Sequence, residues 1–574
     1  MRVPGESLAQ PMLPRMNAVC RMGACGLETS MPSATNARKG EPPAGTQAVA
    51  GDNMRGADAL VRALAGNAAG SALLPAAGQA ASTQDRKTIK KAGRLLKQAV
   101  EALDDRRFRA SEALFDEGMA LLDNPPSRLW CYRLVAAAKA ANYDYVVNNY
   151  ERIRALVTDE AEMTVVDRAW IDCLTAAGYQ HEALREAEAL LARGTVPWTS
   201  MMSTIAIIHS RLGNLERAIA IQKSVLEKEP SQVLVRWNLA VQQLEAGELP
   251  EAFDNYEARW SWPDFPSERR TFDMPRWNGE ALEGKKVLLW REQGVGDEIC
   301  FSGIVPDLVA TGARITFECS PKLARLFELA FPDIEVRAEK AAASRRAQDY
   351  AGFDFEVPVG SLARQFRPTA AVMQAKCRPW LKRDAEIEAR LRADMGAGPD
   401  QPIIGLCWRS SNRNLHRNQN YVGAEYLAPL KLLGKSRFVC LQYDECSDEV
   451  AAMREMGLPI YDFPNIDQMN DLVSASYLSG ACDLVISAAT ASGALAAGLG
   501  VPTIIFGRNH SQIQLGTDGV PWYPAARFQP IDADDPIGVA KSVLFGWREI
   551  AAWAERASTS GRPTDWRLSF PGAA

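Results

Sequence analysis

From about residue 87 to 260, apolar residues recur at the three-and-four spacing of a single helix face, and proline is sparse. After residue 285 the rhythm changes to short apolar runs separated by helical stretches. Residues 287–290, 314–319, 353–359, 403–408, 437–442, 483–487 and 503–506 read as strands. Helices are expected near 298–310, 321–330, 424–433, 447–456, 467–479 and 490–499. Such alternation predicts parallel sheets covered on both faces. A loose, charged stretch near 382–400 divides it into two halves, so a cleft is expected between the carboxyl ends of two sheets. Residues 1–84 are rich in Ala, Gly, Pro and Ser without sustained period, and are expected to stay disordered. They lack the basic–apolar–cleavage order of a secretory signal, and Met31 and Met54 offer later start sites.

The helical part also repeats. Gly213 and Gly247, Ala218 and Ala252, and Ala206 and Ala240 recur at a step of 34 residues. Gly178 with Ala183 repeats the pair one step earlier, and Asn142 with Val147 and Asp105 with Ala110 look like decayed copies. This resembles the tetratricopeptide repeat, in which small residues let paired helices approach and a glycine turns between them. A plain helical bundle is the competing reading. A solenoid offers a concave surface for a segment of another protein, so this part is assigned to recognition. Trp260, Trp262 and Trp277, in the junction that follows, are expected to pack domains together.

Length and composition narrow the class. The chain has 574 residues, enough for roughly three or four domains. Its hydrophobic share of 47% and charged share of 24% are those of a soluble globular protein. A net charge of −5 over this length gives no case for nucleic acid or an anionic membrane. Eleven scattered cysteines without a Cys-x-x-Cys pair, and four histidines, argue against a zinc site or disulfide scaffold and fit a reducing cytoplasm. The uncharged segment 484–507 is long enough to span a bilayer, but its glycines and Pro502 read better as strand, small-residue helix and strand.

Chemistry concentrates at strand ends. Glu292-Gln293-Gly294-Val295-Gly296-Asp297-Glu298 lies between an apolar strand and a helix start. Gly294 and Gly296 allow backbone N–H groups near a ligand, and Asp297, or failing that Glu298, could act as a general base. A tight turn with Asp297 as N-cap is the bland alternative. Ser487-Ala488-Ala489-Thr490-Ala491-Ser492-Gly493 opens another helix after a buried strand. Thr490, Ser492 and Gly493, with the helix N-terminus, would favour a phosphate or diphosphate, unless Thr490 is only a cap. Arg409 and Ser410 begin a basic loop that continues to Arg413, His416 and Arg417, and Arg409 could neutralise a leaving phosphate. Gln442 could read a base or sugar edge, and Arg508 and His510 follow another strand end. Asp532-x-Asp534-Asp535 is read as helix capping, so no catalytic metal and no other cofactor are expected.

Taken together, residues 200–530 resemble a bacterial family in which tetratricopeptide repeats precede a GT-B glycosyltransferase. That domain is related to the lipopolysaccharide heptosyltransferases and more distantly to O-linked N-acetylglucosamine transferases. The strings that carry the resemblance are Trp277-Asn278-Gly279-Glu280, Glu292 to Glu298, Gly405-Leu406-Cys407-Trp408, Cys440-Leu441-Gln442, Asp483 to Ser487 with Thr490, Leu499-Gly500-Val501-Pro502 and Pro521-Trp522-Tyr523-Pro524. Relatives carry Asp-Thr and then His on the helix after residues 483–487; here those positions read Ala489-Thr490 and Ala494, which puts donor recognition or activity in doubt.

The resemblance implies an α + α/β protein: tetratricopeptide-like helical repeats, then a GT-B fold of two Rossmann-like domains. Expected boundaries are 1–84 for the tail, 85–260 for the repeats, 261–400 for the acceptor half with the base, and 401–574 for the donor half. The implied activity moves a sugar from a CMP-, UDP-, ADP- or GDP-linked donor to a protein hydroxyl, without a metal, in the cytoplasm. The layout also looks like flagellin-modifying glycosyltransferases, thought to dock flagellin on the repeats and to use a cytidine-linked nonulosonic acid. The alternative is a weakened transferase scaffold serving as an adaptor or chaperone for flagellar or export proteins.

Overall fold

The computed structural model describes residues 86–569 except 264, 413–414, 509–510 and 533–534, with the side chains of 86, 415 and 416 also outside it. The expectation for residues 1–84 therefore lies outside the described residues. The chain forms two compact units, one of residues 86–235 and one of residues 236–413 and 417–569.

The first unit is helical throughout. Its hairpins are α1 (Arg86–Asp104) with α2 (Phe108–Met119), α3 (Ser127–Lys139) with α4 (Tyr143–Leu156), α5 (Glu160–Ala177) with α6 (Gln180–Ala192), and α7 (Trp198–Arg211) with α8 (Leu215–Lys228). A fifth hairpin, α9 (Val233–Ala246) with α10 (Leu249–Tyr256), has almost all its residues in the second unit. One residue in each hairpin turn adopts the left-handed conformation: Arg106 (φ 61°), Ala141 (φ 58°), Gly178 (φ 92°), Gly213 (φ 82°) and Gly247 (φ 82°). The step is 34 to 37 residues. The two poorest copies in sequence thus make the same turn without glycine, at a cost of about 1–2 kcal/mol each. Ala206 and Ala218 in the fourth hairpin, and Ala240 and Ala252 in the fifth, are completely buried, as close helix pairing requires.

In the second unit the junction tryptophans do pack elements together. Trp237 on α9 lies 5.7 Å from Trp262, and Trp260 lies 5.0 Å from Trp290 at the end of the first strand. Two parallel sheets follow. One has four strands in the order β3-β2-β1-β4: β1 (Lys286–Trp290), β2 (Arg314–Cys319), β3 (Glu335–Ala338) and β4 (Phe355–Pro358). The other has six, in the order β10-β9-β8-β5-β6-β7: β5 (Ile403–Cys407), β6 (Arg437–Cys440), β7 (Ile460–Tyr461), β8 (Leu484–Ala488), β9 (Thr503–Gly507) and β10 (Ala526–Pro530). All pairings are parallel. The order reverses between β1 and β4 in the first sheet and between β5 and β8 in the second. Ligands of such sheets bind outside the carboxyl ends at these reversals.

Several expectations change. Strands β3, β7 and β10 were not legible; each is an edge strand, short and without a continuous apolar run. The helix expected at 298–310 is broken at Gly303, giving α11 (Val295–Ser302) and a separate turn Val305–Val309. The loose stretch near 382–400 is largely a helix, α12 (Ala385–Asp394). Asp384 caps its first N–H groups, acids fill the first turn and Arg392 the last. Arg392 bonds Asp483 at 2.8 Å, so α12 packs on the six-stranded sheet. The uncharged 484–507 segment is β8, α13 (Ala491–Gly498) and β9, and no helix among the described residues is long and apolar enough to cross a membrane.

Candidate active site

The loop from β1 into α11 carries three carboxylates, and the structure gives them different fates. Glu292 is buried and accepts two hydrogen bonds from Arg259, at 2.7 and 3.0 Å. It fills the reversal point between β1 and β4 so closely that a Cβ on Gly360 would lie 1.8 Å from its carboxylate. Glu298 is also fully buried; it accepts from Arg291 at 3.1 Å and from the Ser320 N–H at 2.8 Å. Burial pushes its pKa up to about 7, against Arg291 and the Ser320 N–H. It ties the β1 loop to the end of β2 and has no route to a ligand. Asp297 alone of the three keeps partial solvent access.

Asp297 stands at the third position of α11 and is not the N-cap. Its carboxylate accepts the N–H of Gly294, which occupies the cap, at 3.1 Å. Burial raises its pKa above the ordinary carboxylate value, opposed by the Gly294 N–H and by Arg417. The loop is braced on both sides. Gln293 takes a left-handed conformation (φ 60°) while its N–H donates to Ser267 at 2.6 Å and its side-chain amide bonds the Tyr256 hydroxyl. Such strain in a non-glycine residue persists only where neighbours over-determine it, commonly at functional loops.

Gly296 meets the other sheet. A Cβ there would lie 3.4 Å from the backbone N and Cα of Ala491, the first residue of α13. The amino-terminal ends of α11 and α13 therefore converge, with Asp297 beside them. Thr490 occupies the N-cap position of α13 but makes no side-chain cap bond. Its hydroxyl lies instead 3.4 Å from Cys407 Sγ and 3.3 Å from Ser487 Oγ. The α13 N–H groups that a capping side chain would take are left for an anion. Ser492 is spent on the Leu441 carbonyl at 2.9 Å, and Gly493 is needed for packing, since a Cβ would reach 2.9 Å from Ser487 Oγ.

Arg409 is not a free cation. Its guanidinium bonds Glu449, Asp444 and the Glu445 carbonyl. Burial opposes its charge, but the two carboxylates outweigh this and push its pKa above the ordinary value. Gln442 accepts the Arg409 N–H at 3.3 Å and donates to the Arg409 carbonyl and to Asp444, so it stitches two loops together. Ser410 accepts a bond from the Tyr443 hydroxyl at 2.9 Å. The side chains of Arg413, His416 and His510, and Asp534, lie outside the described residues. Asp535 does not cap a helix as expected: it ion-pairs with Lys541 at 2.9 Å, and Ile537 precedes the helix Gly538–Phe545.

Trp380 joins the two sheet-bearing lobes. Its indole N–H donates to Ser302 at 2.9 Å, its backbone N–H donates to the Gly498 carbonyl, and its ring stacks on Tyr523 at 5.9 Å. Sequence reasoning missed Arg259, Tyr256, Gly360 and Trp380. Only Arg259, set in an aromatic stretch, carried any signal, since a guanidinium there needs an acid partner.

No protein-family model matches the sequence. Over 333 residues the chain is 32% identical to Protein FlbA of Caulobacter vibrioides; the match spans 55% of this chain and 55% of that protein, about half of each. Solved structures with a similar arrangement include the glycosyl transferase family 9 protein of Veillonella parvula (TM-score 0.35, 13% identical, 48% of this chain and 99% of that one). E. coli ADP-heptose lps heptosyltransferase II gives a TM-score of 0.37 at 13% identity, over 47% of this chain and 99% of that one. Thermobaculum terrenum O-GlcNAc transferase gives 0.25 at 13% identity, over 85% and 96%.

Proposed function

We propose that the chain is a glycosyltransferase that moves a sugar from a nucleotide-sugar donor to a hydroxyl of a protein, with flagellin as the first acceptor to test. The carrying observation is the approach of Gly296 to Ala491, which sets a half-buried carboxylate, Asp297, beside the N-terminus of a helix on the other sheet whose N-cap side chain makes no capping bond. A base and an anion-binding site at the reversal points of facing parallel sheets are what glycosyl transfer needs.

In this reading Asp297 takes the proton of the acceptor hydroxyl. The acceptor oxygen bonds the anomeric carbon as that carbon's bond to the donor phosphate breaks, and the electron pair departs on the phosphate. The α13 N–H groups stabilise the departing charge. Arg409 and Gln442 position the loops around the donor and need not touch it. The helical hairpins dock the acceptor. None of the described cysteines is in a disulfide, and this reading takes a reducing compartment such as the cytoplasm as the setting.

Incubating the full chain and flagellin with CMP-, UDP-, ADP- and GDP-linked sugars, and reading the intact mass of flagellin, tests this. A mass gain of one sugar with one donor class, absent with Asp297→Asn, is expected. The scaffold reading draws on Ala489 and Ala494 and on the neutralised Arg409; binding of no nucleotide at all would favour it.

A further inference from the structure

Two of the described cysteines touch. Cys440 ends β6 and is completely buried, while Cys446 holds the N-cap position of the helix Ser447–Glu455 and is half-buried. Their sulfurs lie 3.8 Å apart, joined by a thiol hydrogen bond, and neither is in a disulfide. The Cys446 side chain makes no capping bond; Glu445 takes the Ser447 N–H instead, at 3.0 Å. The hydrogen bond to Cys446, and then burial, raise the Cys440 thiol well above its ordinary value, so Cys440 keeps its proton. Cys446 is the member of the pair with solvent access and meets an oxidant first. A reachable thiol set against a second, resolving thiol is what a redox-responsive pair needs.

The five residues between the two cysteines brace the donor sheet. The Leu441 carbonyl accepts the hydroxyl of Ser492, in the first turn of α13, at 2.9 Å. Gln442 donates to the Arg409 carbonyl at 2.9 Å, and Asp444 and the Glu445 carbonyl hold the Arg409 guanidinium. A disulfide sets its sulfurs about 2.0 Å apart, so this pair must close by about 1.8 Å from its present 3.8 Å. Strand β6 is fixed between β5 and β7, so the loop and the helix start take up the movement.

We propose that Cys440 and Cys446 form a redox switch, which a small disulfide such as oxidised glutathione closes and a small thiol reopens. In closing, the Cys446 thiolate attacks one sulfur of the oxidant and releases one thiolate, which leaves a mixed disulfide. The Cys440 sulfur, losing its proton, then attacks the Cys446 sulfur and releases the second thiolate. The two protons lost by the cysteines go to the departing thiolates, and the two electrons lost by their sulfurs reduce the oxidant. The switch rests on the glycosyl-transfer reading only for what it controls, the binding of the donor nucleotide.

The test equilibrates the full chain in glutathione buffers of graded ratio, alkylates it and digests it with trypsin. Residues 438–454 form one tryptic peptide with both cysteines, so closure appears as a loss of two hydrogens and of both alkylation sites. Closure should be reversible and absent in Cys446→Ser, whose thermal unfolding should match the reduced wild type; Cys440→Ser should instead retain one glutathione on Cys446. Affinity for whichever of CMP, UDP, ADP and GDP binds should fall at least about fivefold on oxidation, and should not change in Cys446→Ser. A folded wild type in which this peptide never closes overturns the inference, as does closure that leaves nucleotide affinity unchanged. A reduced chain that binds none of the four nucleotides overturns the transferase reading, and the peptide mass still decides the thiol pair.

Discussion

Arg259 and Glu292 face each other without solvent, joined by two hydrogen bonds although 33 residues apart. The pair fastens the end of the last hairpin to the loop that carries Asp297. Removing Arg259 strands the Glu292 charge in the interior, whereas removing Glu292 leaves Arg259 its ion pair with Glu257 at 2.7 Å. Arg259→Ala should destabilise the protein by about 3–5 kcal/mol and Glu292→Gln by less, because Arg259 keeps Glu257, while Arg259→Met with Glu292→Met should cost less than the sum of the two. Urea unfolding of the four proteins measures this. A loss under about 1 kcal/mol for Arg259→Ala would mean the pair is not what holds the loop.

Asp297→Asn should abolish transfer and leave the protein as stable or more so. The amide oxygen can still accept the Gly294 N–H. The carboxylate's folded pKa is raised above its ordinary 3.8. Ionising it costs more in the folded state, so its contribution falls as pH rises from 3.8 through the folded value and stays unfavourable at neutrality. The transfer rate should fall as pH drops through that same folded value, since the base must be ionised. Transfer at the wild-type rate in the variant would discard the base assignment.

Glu298 supplies a contrast. Its pKa rises from 4.5 to about 7, so the folded state holds the proton more tightly than the unfolded chain. Stability from this group therefore declines as pH rises across that window and is lowest above it. The difference in unfolding free energy between wild type and Glu298→Gln should change with pH across 4.5 to about 7, and transfer should survive. A difference that stays flat with pH would show that Glu298 ionises normally.

Gly296→Val tests the convergence of the two helices. Even a Cβ would stand 3.4 Å from Ala491, and the two methyl groups of valine need more room than that. Moving the carboxylate by about an ångström should lower transfer on the order of 100-fold, and crowding Ala491 at the start of α13 should weaken nucleotide binding as well. Loss of binding with transfer per bound donor preserved would reverse the roles of the two sheets.

The central strands were readable because each is a buried apolar run, and the turn glycines Gly178, Gly213 and Gly247 gave the hairpins their period. Arg106 and Ala141 make the same turns with residues that do not advertise them. The β1 loop stands out in the sequence as a candidate, but the sequence does not rank its three carboxylates. That ranking depends on partners 33 residues before Glu292, 22 residues after Glu298 and, for Gly296, at Ala491. Arg409 looked free for the same reason: its acids, Asp444 and Glu449, come from a different strand end.

The fifth hairpin continues the repeat in sequence but packs as part of the second unit. Tyr256 bonds Gln293, Trp237 stacks near Trp262, and a Cβ on Gly247 would come within 2.9 Å of the Leu515 carbonyl. It therefore touches both sheet-bearing lobes. Removing the chain through residue 231 should leave cooperative unfolding and nucleotide binding, and lose transfer to the protein acceptor. Removing it through residue 256 should lose all three, because the strained Gln293 loses its hydroxyl partner and the Leu515 turn its cover. Thermal unfolding and nucleotide titration of the two shortened proteins decide this. Equal melting behaviour would place the hairpin with the acceptor-docking repeats instead.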